Sequence, residues 1–150
     1  MRNLLKQATG SLQIDLTAEG LAEILNFRGR HEVSNAHRVL GLRGKPRRHR
    51  NSRLRFGEHD VFVGSVIQML RRFGADVALI RECADLCYDY EPGQRRWLCI
   101  SHDGARLADR HTDADGLAID LKKQYADITS TLVEIAKLNA QAKPETVAAN

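Results

Sequence analysis

The chain has 150 residues, 43% hydrophobic and 28% charged, with a net charge of +4, so we expect a single compact unit with its own core. The mean hydropathy of −0.40 and the lack of an apolar run of about 18 residues argue against a membrane-spanning segment. Three cysteines are too few and odd in number for a disulfide scaffold, and no apolar stretch follows the basic N-terminus, so we predict a cytoplasmic protein without a membrane partner.

The positive charge is concentrated in one segment. Residues 28–56 contain ten Lys and Arg and one acidic residue, Glu32, whereas residues 1–27 sum to −1 and residues 57–150 to −4. Nine of the ten basic residues are arginines, whose planar guanidinium groups suit phosphates and guanine edges. A basic block in an otherwise acidic chain is typical of a surface that binds a polyanion, although a solvated arginine-rich loop is the simpler alternative.

Two short helices are predicted near the N-terminus. Thr17 is expected to cap the first helix, over residues 18–26. A polar link over residues 28–32 leads to the second helix, which Ser34 caps and Gly41 ends. At 100° per residue the second helix buries one face and exposes the other, so the pair is typical of a helix-turn-helix.

Turns and two longer helices follow. Glycine, proline and asparagine within residues 42–56 predict turns, and residues 53–56 predict a short strand that would form a wing. A helix is predicted over residues 60–73, ended by Gly74, and Asp76 is expected to cap the next one.

The C-terminal part predicts a hairpin and a long helix. The strands comprise residues 97–100 and 105–108, around an Asp-Gly turn. The last helix is predicted from Asp113 to about Gln141, and the ends of the chain, residues 1–13 and 144–150, are predicted to be poorly ordered.

Apolar residues of this last helix repeat at the seven-residue spacing of a coiled coil. This seam predicts that two copies of the chain form a homodimer, and it is too short to be stable without support from the rest of the protein. An ordinary amphipathic helix packed on its own hairpin is the alternative. The predicted dimerisation residues are Leu121, Tyr125, Ile128, Leu132 and Ile135.

Several motifs occur in a recognisable order. Residues 33–40 are followed by Gly41-Leu42, Pro46, Arg48 and Arg55-Phe56, and then by the segments Phe56-Gly57-Glu58-His59-Asp60-Val61, Leu70-Arg71-Arg72-Phe73-Gly74 and Leu79-Ile80-Arg81-Glu82. In order and approximate spacing they resemble the recognition helix, wing and following helices of the mercury-resistance-regulator (MerR) family of bacterial proteins. The similar stretch covers residues 34–86, about a third of the chain.

Pattern and resemblance together predict a mainly α fold with a small β-wing and a C-terminal β-hairpin. A winged helix-turn-helix domain, residues 14–91, would be followed by a hairpin and a dimerisation helix, residues 92–143. The resemblance implies that a homodimer binds double-stranded DNA, with the recognition helix in the major groove and the wings on flanking phosphates. We therefore predict a sequence-specific transcription regulator.

The DNA-binding residues are assigned by position. Base-edge contacts are expected from the exposed arc of the second helix, which carries Ser34, Asn35 and Arg38. His37 lies at the edge of the buried face and is expected to pack more than to contact bases. Phosphate contacts are expected from Arg43, Lys45, Arg47, Arg48, Arg50, Arg53 and Arg55.

Two other functions stay open. One is an excisionase-like or other architectural protein that bends DNA, and the other is a protein-interaction module whose arginines meet an acidic surface. The sequence has no glycine-rich phosphate loop, nucleophile elbow or metal-binding His-x-x-x-His helix. We therefore predict no enzymatic activity, no cofactor and no metal, and no motif supports a small-molecule effector.

Two clusters could in principle carry chemistry. Cys83, Cys87, Cys99 and His102 offer four ligands for Zn²⁺ or thiols that sense oxidants, with burial of the cysteines as the simpler alternative. A cluster of acidic residues with one histidine has no fixed paired geometry for hydrolysis, and one member, Asp113, is expected to cap the last helix instead. Its members are Asp109, His111, Asp113, Asp115 and Asp120.

Overall fold

Helices form most of the protein. The computed structural model describes residues 14–47, 49, 51–111 and 116–148, with the backbone alone for residues 142–148. In chain order the described elements are α1 (Ala18–Leu25), α2 (Arg30–Val39), α3 (Glu58–Arg72), α4 (Val77–Asp89), β1 (Trp97–Ser101), β2 (Gly104–Ala108), β3 (Leu117–Asp120) and α5 (Leu121–Ala148). The prediction of a mainly helical fold with a β-hairpin is confirmed.

The first helix forms as predicted, whereas the second begins earlier. Thr17 caps α1 by accepting a hydrogen bond from the Gly20 amide at 3.1 Å. The predicted cap at Ser34 is wrong, because α2 begins at Arg30 and only residues 26–29 link the two helices. The carboxylate of Glu32 accepts a hydrogen bond from the Arg28 amide at 2.5 Å, which satisfies a donor just before the helix and favours the earlier start.

Residues 41–57, here called the basic loop, connect α2 to α3. The predicted strand over residues 53–56 is wrong, since only Phe56 pairs, through two backbone hydrogen bonds of 2.9 Å with Leu16. One further backbone bond, from the Lys45 amide to the Arg55 carbonyl at 2.7 Å, closes the loop. The described residues of the loop meet neighbouring backbone singly, so no continuous ladder of hydrogen bonds forms among them.

The buried carboxylate of Asp60 connects the basic loop, α3 and α4. It is 6% exposed and accepts hydrogen bonds from the Gly57 amide at 2.8 Å, the Gly44 amide at 3.1 Å and the Tyr88 hydroxyl at 2.6 Å. Burial, together with the charge of Asp60, raises the pKa of Tyr88, which therefore remains a hydroxyl donor. A buried charge is stable only with such a set of donors, so these three segments have one fixed arrangement.

The core is centred on α3, and α5 packs across it. Tyr125 of α5 lies 5.0 Å from the Phe62 ring, measured between ring centroids, and Leu121 and Leu132 are 0% and 1% exposed. A hydrogen bond of 3.1 Å from the Thr129 hydroxyl to Glu58 also joins the two helices. The last helix is therefore held mainly by its own chain.

The sheet has the order β2-β1-β3 and is antiparallel. The predicted hairpin of β1 and β2 is confirmed, with Ser101 opposite Gly104 at the turn. Strand β3 was not predicted, because its residues were assigned to the last helix. The backbone groups of β3 form hydrogen bonds with the free edge of β1. This contact is non-local, and sequence periodicity does not report it.

The start of α5 is consequently displaced from the predicted Asp113, which lies outside the described residues, to Leu121. Asp120 provides the cap, since its carboxylate accepts a hydrogen bond from the Lys123 amide at 3.2 Å. The same carboxylate accepts two hydrogen bonds from the Arg96 guanidinium, at 2.9 and 2.6 Å, which fixes the start of α5 to the residue just before β1.

The end of α5 also differs from the prediction. The helix continues to Ala148, so the predicted end near Gln141 is wrong. Residues 144–148, which were predicted to be a poorly ordered tail, are helical. Alanine, lysine and glutamate on both sides of Pro144 are good helix formers. Residues 1–13 and 149–150 lie outside the described part. None of the described helices has the length and apolarity needed to cross a membrane.

Asp60→Ala is expected to lower the free energy of unfolding by about 3 kcal/mol or more, because three donors lose a buried acceptor. Tyr88→Phe removes one of them and is expected to cost about 1–2 kcal/mol. Asp85→Ala is the control, since that carboxylate is 63% exposed and its loss is expected to cost less than about 1 kcal/mol. Urea unfolding measures all three values, and equal losses for Asp60→Ala and Asp85→Ala would contradict this role of Asp60.

Candidate nucleic-acid interface

A groove of about 570 Å³ lies between α2, the start of α1 and the basic loop. Arg30 and Arg38 line it from α2, and Arg47 and Arg53 line it from the basic loop. Glu19 is the one acidic residue among the described lining residues, and its carboxylate lies 3.8 Å from the Arg30 guanidinium. We call this concave, positively charged surface the arginine groove.

One face of α2 forms part of the wall of the arginine groove. Ser34 and Arg38 are exposed there, as expected for residues on the outer arc. Asn35, which was predicted with them, is half-buried and does not line the groove. His37 was expected mainly to pack, but it is half-buried and lines the groove while its Nδ1 lies 2.8 Å from the Leu42 carbonyl oxygen.

Three of the predicted phosphate-binding cations already have partners within the chain. The Arg43 guanidinium lies 3.2 Å from Asp85 and 4.4 Å from the centre of the Tyr88 ring. Lys45 and Arg55 both contact the carboxylate of Asp15, at 3.3 and 3.1 Å. The hydrogen bond from Arg55 is the main reason that the pKa of Asp15 is lowered. These cations therefore hold the base of the basic loop in place.

The other predicted phosphate contacts are placed differently. Arg47 and Arg53 are exposed in the arginine groove and have no ionic partner among the residues that the structure describes. Arg48 and Arg50 lie outside the described residues. Arg30 was not among the predicted contacts, because its position was assigned to a link rather than to the first turn of α2.

An ion pair between Glu32 and Arg71 fixes α2 on α3. The side chains are 17% and 34% exposed, so the pair is only partly screened by solvent. Burial tends to raise the pKa of Glu32, but the hydrogen bond from the Arg28 backbone and the charge of Arg71 together lower it below its ordinary 4.5. The orientation of the groove face of α2 therefore depends on this pair.

The cysteines do not form a reactive cluster. Cys83 and Cys87 are buried in α4, as the simpler alternative predicted. Burial raises the pKa of Cys83 to about 12 and also raises that of Cys87, so both thiols stay protonated and weakly reactive at neutral pH. Within the described ranges, no group of three or more His, Cys, Asp or Glu side chains could hold a metal ion.

Those of the acidic residues considered for hydrolysis that the structure describes are not brought together either. Asp109 and His111 are exposed, and Asp120 is engaged with Arg96 and the start of α5. Asp113 and Asp115 lie outside the described residues.

The predicted dimerisation seam contacts its own chain over most of its length. Leu121 and Leu132 are buried, and Tyr125 and Ile128 pack against the same core. Ile135 is half-buried, in a groove that Ile14 and Leu16 also line. This packing is what the alternative of an ordinary amphipathic helix predicted, although the helix packs on α3 as well as on the sheet.

The chain matches no protein-family model, and no curated protein has a significantly similar sequence. The resemblance to the MerR family therefore rests on the order and spacing of motifs within residues 34–86 alone.

Glu32→Gln is expected to lower the free energy of unfolding at pH 7 by about 1–2 kcal/mol. Since the pKa of Glu32 in the folded protein lies below 4.5, the stabilisation is present above about pH 4.5 and is lost as the pH falls through the folded-state value. The difference between the variant and the natural protein should thus shrink on acidification. Urea unfolding between pH 7 and pH 3 measures it, with the exposed Glu23→Gln as the control. A difference that stays constant down to about pH 3 would show that the charge of Glu32 is not involved.

Proposed function

We propose that the protein binds double-stranded DNA, with α2 in the major groove and the basic loop against the adjacent phosphates, and that it regulates transcription. The observation that carries the proposal is the arginine groove, where arginines from a helix and from a loop line one concave surface. A phosphodiester backbone is the polyanion that such a surface fits, because each guanidinium can donate two parallel hydrogen bonds to a phosphate.

The arrangement of residues around α2 suits a duplex. The major groove is about 12 Å wide and admits a single α-helix. When a helix lies in it, one sugar–phosphate strand passes along the side of that helix. In this protein Arg47 and Arg53 of the basic loop lie beside α2 in the arginine groove, and Ser34 and Arg38 are exposed on the face of α2 that lines the same groove.

The connection between α1 and α2 supports a helix-turn-helix in particular. Four residues, 26–29, link the helices, which is the length typical of that motif. Phe27 within the link is 7% exposed and anchors the turn to the core, and Gly29 adopts a positive φ of 147°, which favours glycine. The basic loop, closed by the bond between Lys45 and Arg55, would take the place of the wing.

Charge pairing within the chain favours a defined binding site over nonspecific binding through the whole basic segment. Asp85 pairs with Arg43, and Asp15 pairs with both Lys45 and Arg55 at the base of the basic loop. Among the described residues of the basic loop, Arg47 and Arg53 in the arginine groove are the arginines without such a partner. Contact of the basic loop with DNA would thus take place mainly on the side of the arginine groove, as positioning of a recognition helix requires.

From the resemblance to the MerR family, the proposal also includes that the protein regulates transcription as a homodimer. Leu121 and Leu132 are buried within the chain, so a second copy would contact α5 further along. Leu138 is 63% exposed and, with Ile135, provides the apolar surface on that part of the helix. Two copies joined there would present two α2 helices to a two-fold symmetric DNA site.

The double variant Arg47→Gln, Arg53→Gln is expected to bind a duplex of about 20 base pairs more weakly and with less dependence on salt. Each lost phosphate contact should reduce the slope of log K against log salt by about 0.9. Fluorescence anisotropy between about 50 and 200 mM salt measures both quantities.

The matched control is Arg72→Gln, Arg95→Gln, which removes the same charge from exposed positions away from the groove and should leave the slope nearly unchanged. Equal losses in the two double variants, or no binding of the natural protein near 150 mM salt (about physiological), would contradict the proposal. The second result would favour a basic surface that binds a protein partner.

A further inference from the structure

The hydrogen bonding of His37 fixes the position of its proton. Its Nδ1 lies 2.8 Å from the backbone carbonyl oxygen of Leu42. A carbonyl oxygen only accepts hydrogen bonds, so Nδ1 must carry the hydrogen. In the neutral imidazole the other ring nitrogen, Nε2, then carries a lone pair and acts as an acceptor. No described residue is bonded to Nε2.

The ring is held by rigid backbone. Leu42 is 1% exposed, and its amide donates to the Ala36 carbonyl at 3.1 Å, so the carbonyl that holds His37 belongs to a well-packed residue that is bonded to α2. His37 lines the arginine groove together with Ser34 and Arg38, at positions one turn apart or adjacent on the helix. The orientation of the acceptor is therefore set before any ligand binds.

From this geometry we infer that His37 determines base specificity by accepting a hydrogen bond from adenine or cytosine at one position of the DNA site. The inference rests on the proposed function. In the major groove the exocyclic amino groups of adenine and cytosine are the donors, whereas guanine and thymine present oxygen acceptors. An acceptor with a fixed lone pair favours the first two bases on the strand it faces and disfavours the other two.

A phosphate contact does not fit this nitrogen in the neutral form of the ring. Phosphate oxygens only accept, and the neutral Nε2 has no hydrogen to donate. The neighbouring groups on α2 have the opposite character, since the guanidinium groups of Arg30 and Arg38 are pure donors that suit guanine and phosphate. Within this set His37 supplies the acceptor, and the Ser34 hydroxyl can act either way.

His37→Asn separates the reading of bases from the structural role. The asparagine amide can still donate to the Leu42 carbonyl, but no atom occupies the place of Nε2. His31→Asn is the matched control, because it makes the same change at an exposed position of the same helix that does not line the groove. Thermal unfolding shows whether both variants keep the fold. His37→Gln, which can bring an amide oxygen near the place of Nε2, provides a conservative rescue.

The measurement is selection of binding sites from a randomised duplex library at about 150 mM salt, followed by sequencing. The natural protein and His31→Asn are expected to select one motif with a preferred base pair at a given position, whose adenine or cytosine carries the amino group that donates to Nε2. His37→Asn should lose that preference by about tenfold with the other positions unchanged, and His37→Gln should retain part of it.

Other outcomes overturn the inference in distinguishable ways. An unchanged motif in His37→Asn, or a uniform loss of affinity at every position, would show that His37 does not contact a base while the proposed DNA binding stands. Every base pair carries adenine or cytosine on one strand, so the donor is tested by replacing that base with an analogue that lacks the exocyclic amino group. Unchanged binding of the natural protein to that duplex would show that Nε2 is not the acceptor. Binding by the natural protein without any motif would remove the inference and the sequence-specific part of the proposed function together.

Discussion

The arrangement of the basic surface depends on one buried carboxylate. Asp60 joins the start of the basic loop, through the Gly44 amide, to α3 and to the Tyr88 hydroxyl on α4. The Tyr88 oxygen in turn accepts a hydrogen bond from the Arg43 amide at 2.8 Å. A loop rich in arginines repels itself and would not hold one shape in water without such fixed points. Because its base is tied to the core, the loop keeps Arg47 and Arg53 beside α2.

Electrostatics divides the basic residues into two groups with different roles. Within the described part of the basic loop, the cations at its base are paired with carboxylates from the segment before α1 and from α4, whereas Arg47 and Arg53 in the arginine groove have no ionic partner among the described residues. The first group stabilises the shape of the loop, and the second is available to a polyanion. Net charge by segment identifies the ten cations of residues 28–56 but does not separate these groups, because each pairing joins residues that are 30 or more positions apart.

Local signals in the sequence predicted much of the fold. The caps at Thr17 and Asp76 and the hairpin turn before Gly104 depend on a few neighbouring residues, and they occur as expected. The start of α2 was missed because the carboxylate of Glu32 both accepts a hydrogen bond from the Arg28 amide and pairs with Arg71 on another helix, and the second of these contacts is not local in the sequence. Strand β3 was missed because its partner is β1, about 20 residues earlier. In the candidate site the exposed face of α2 was predictable, whereas the placement of His37 depends on the backbone of Leu42.

The most direct measurement is an NMR titration of the isotope-labelled protein with a DNA duplex at about 50 mM salt, where electrostatic binding is strong. The account predicts that amide signals of α2 and the basic loop shift together, with those of Arg38, Arg47 and Arg53 among the largest changes. Signals of the sheet, residues 97–120, should remain in place. Shifts centred on the sheet or on α4, or no shifts at any DNA concentration, would contradict the claim that the arginine groove is the DNA-binding surface.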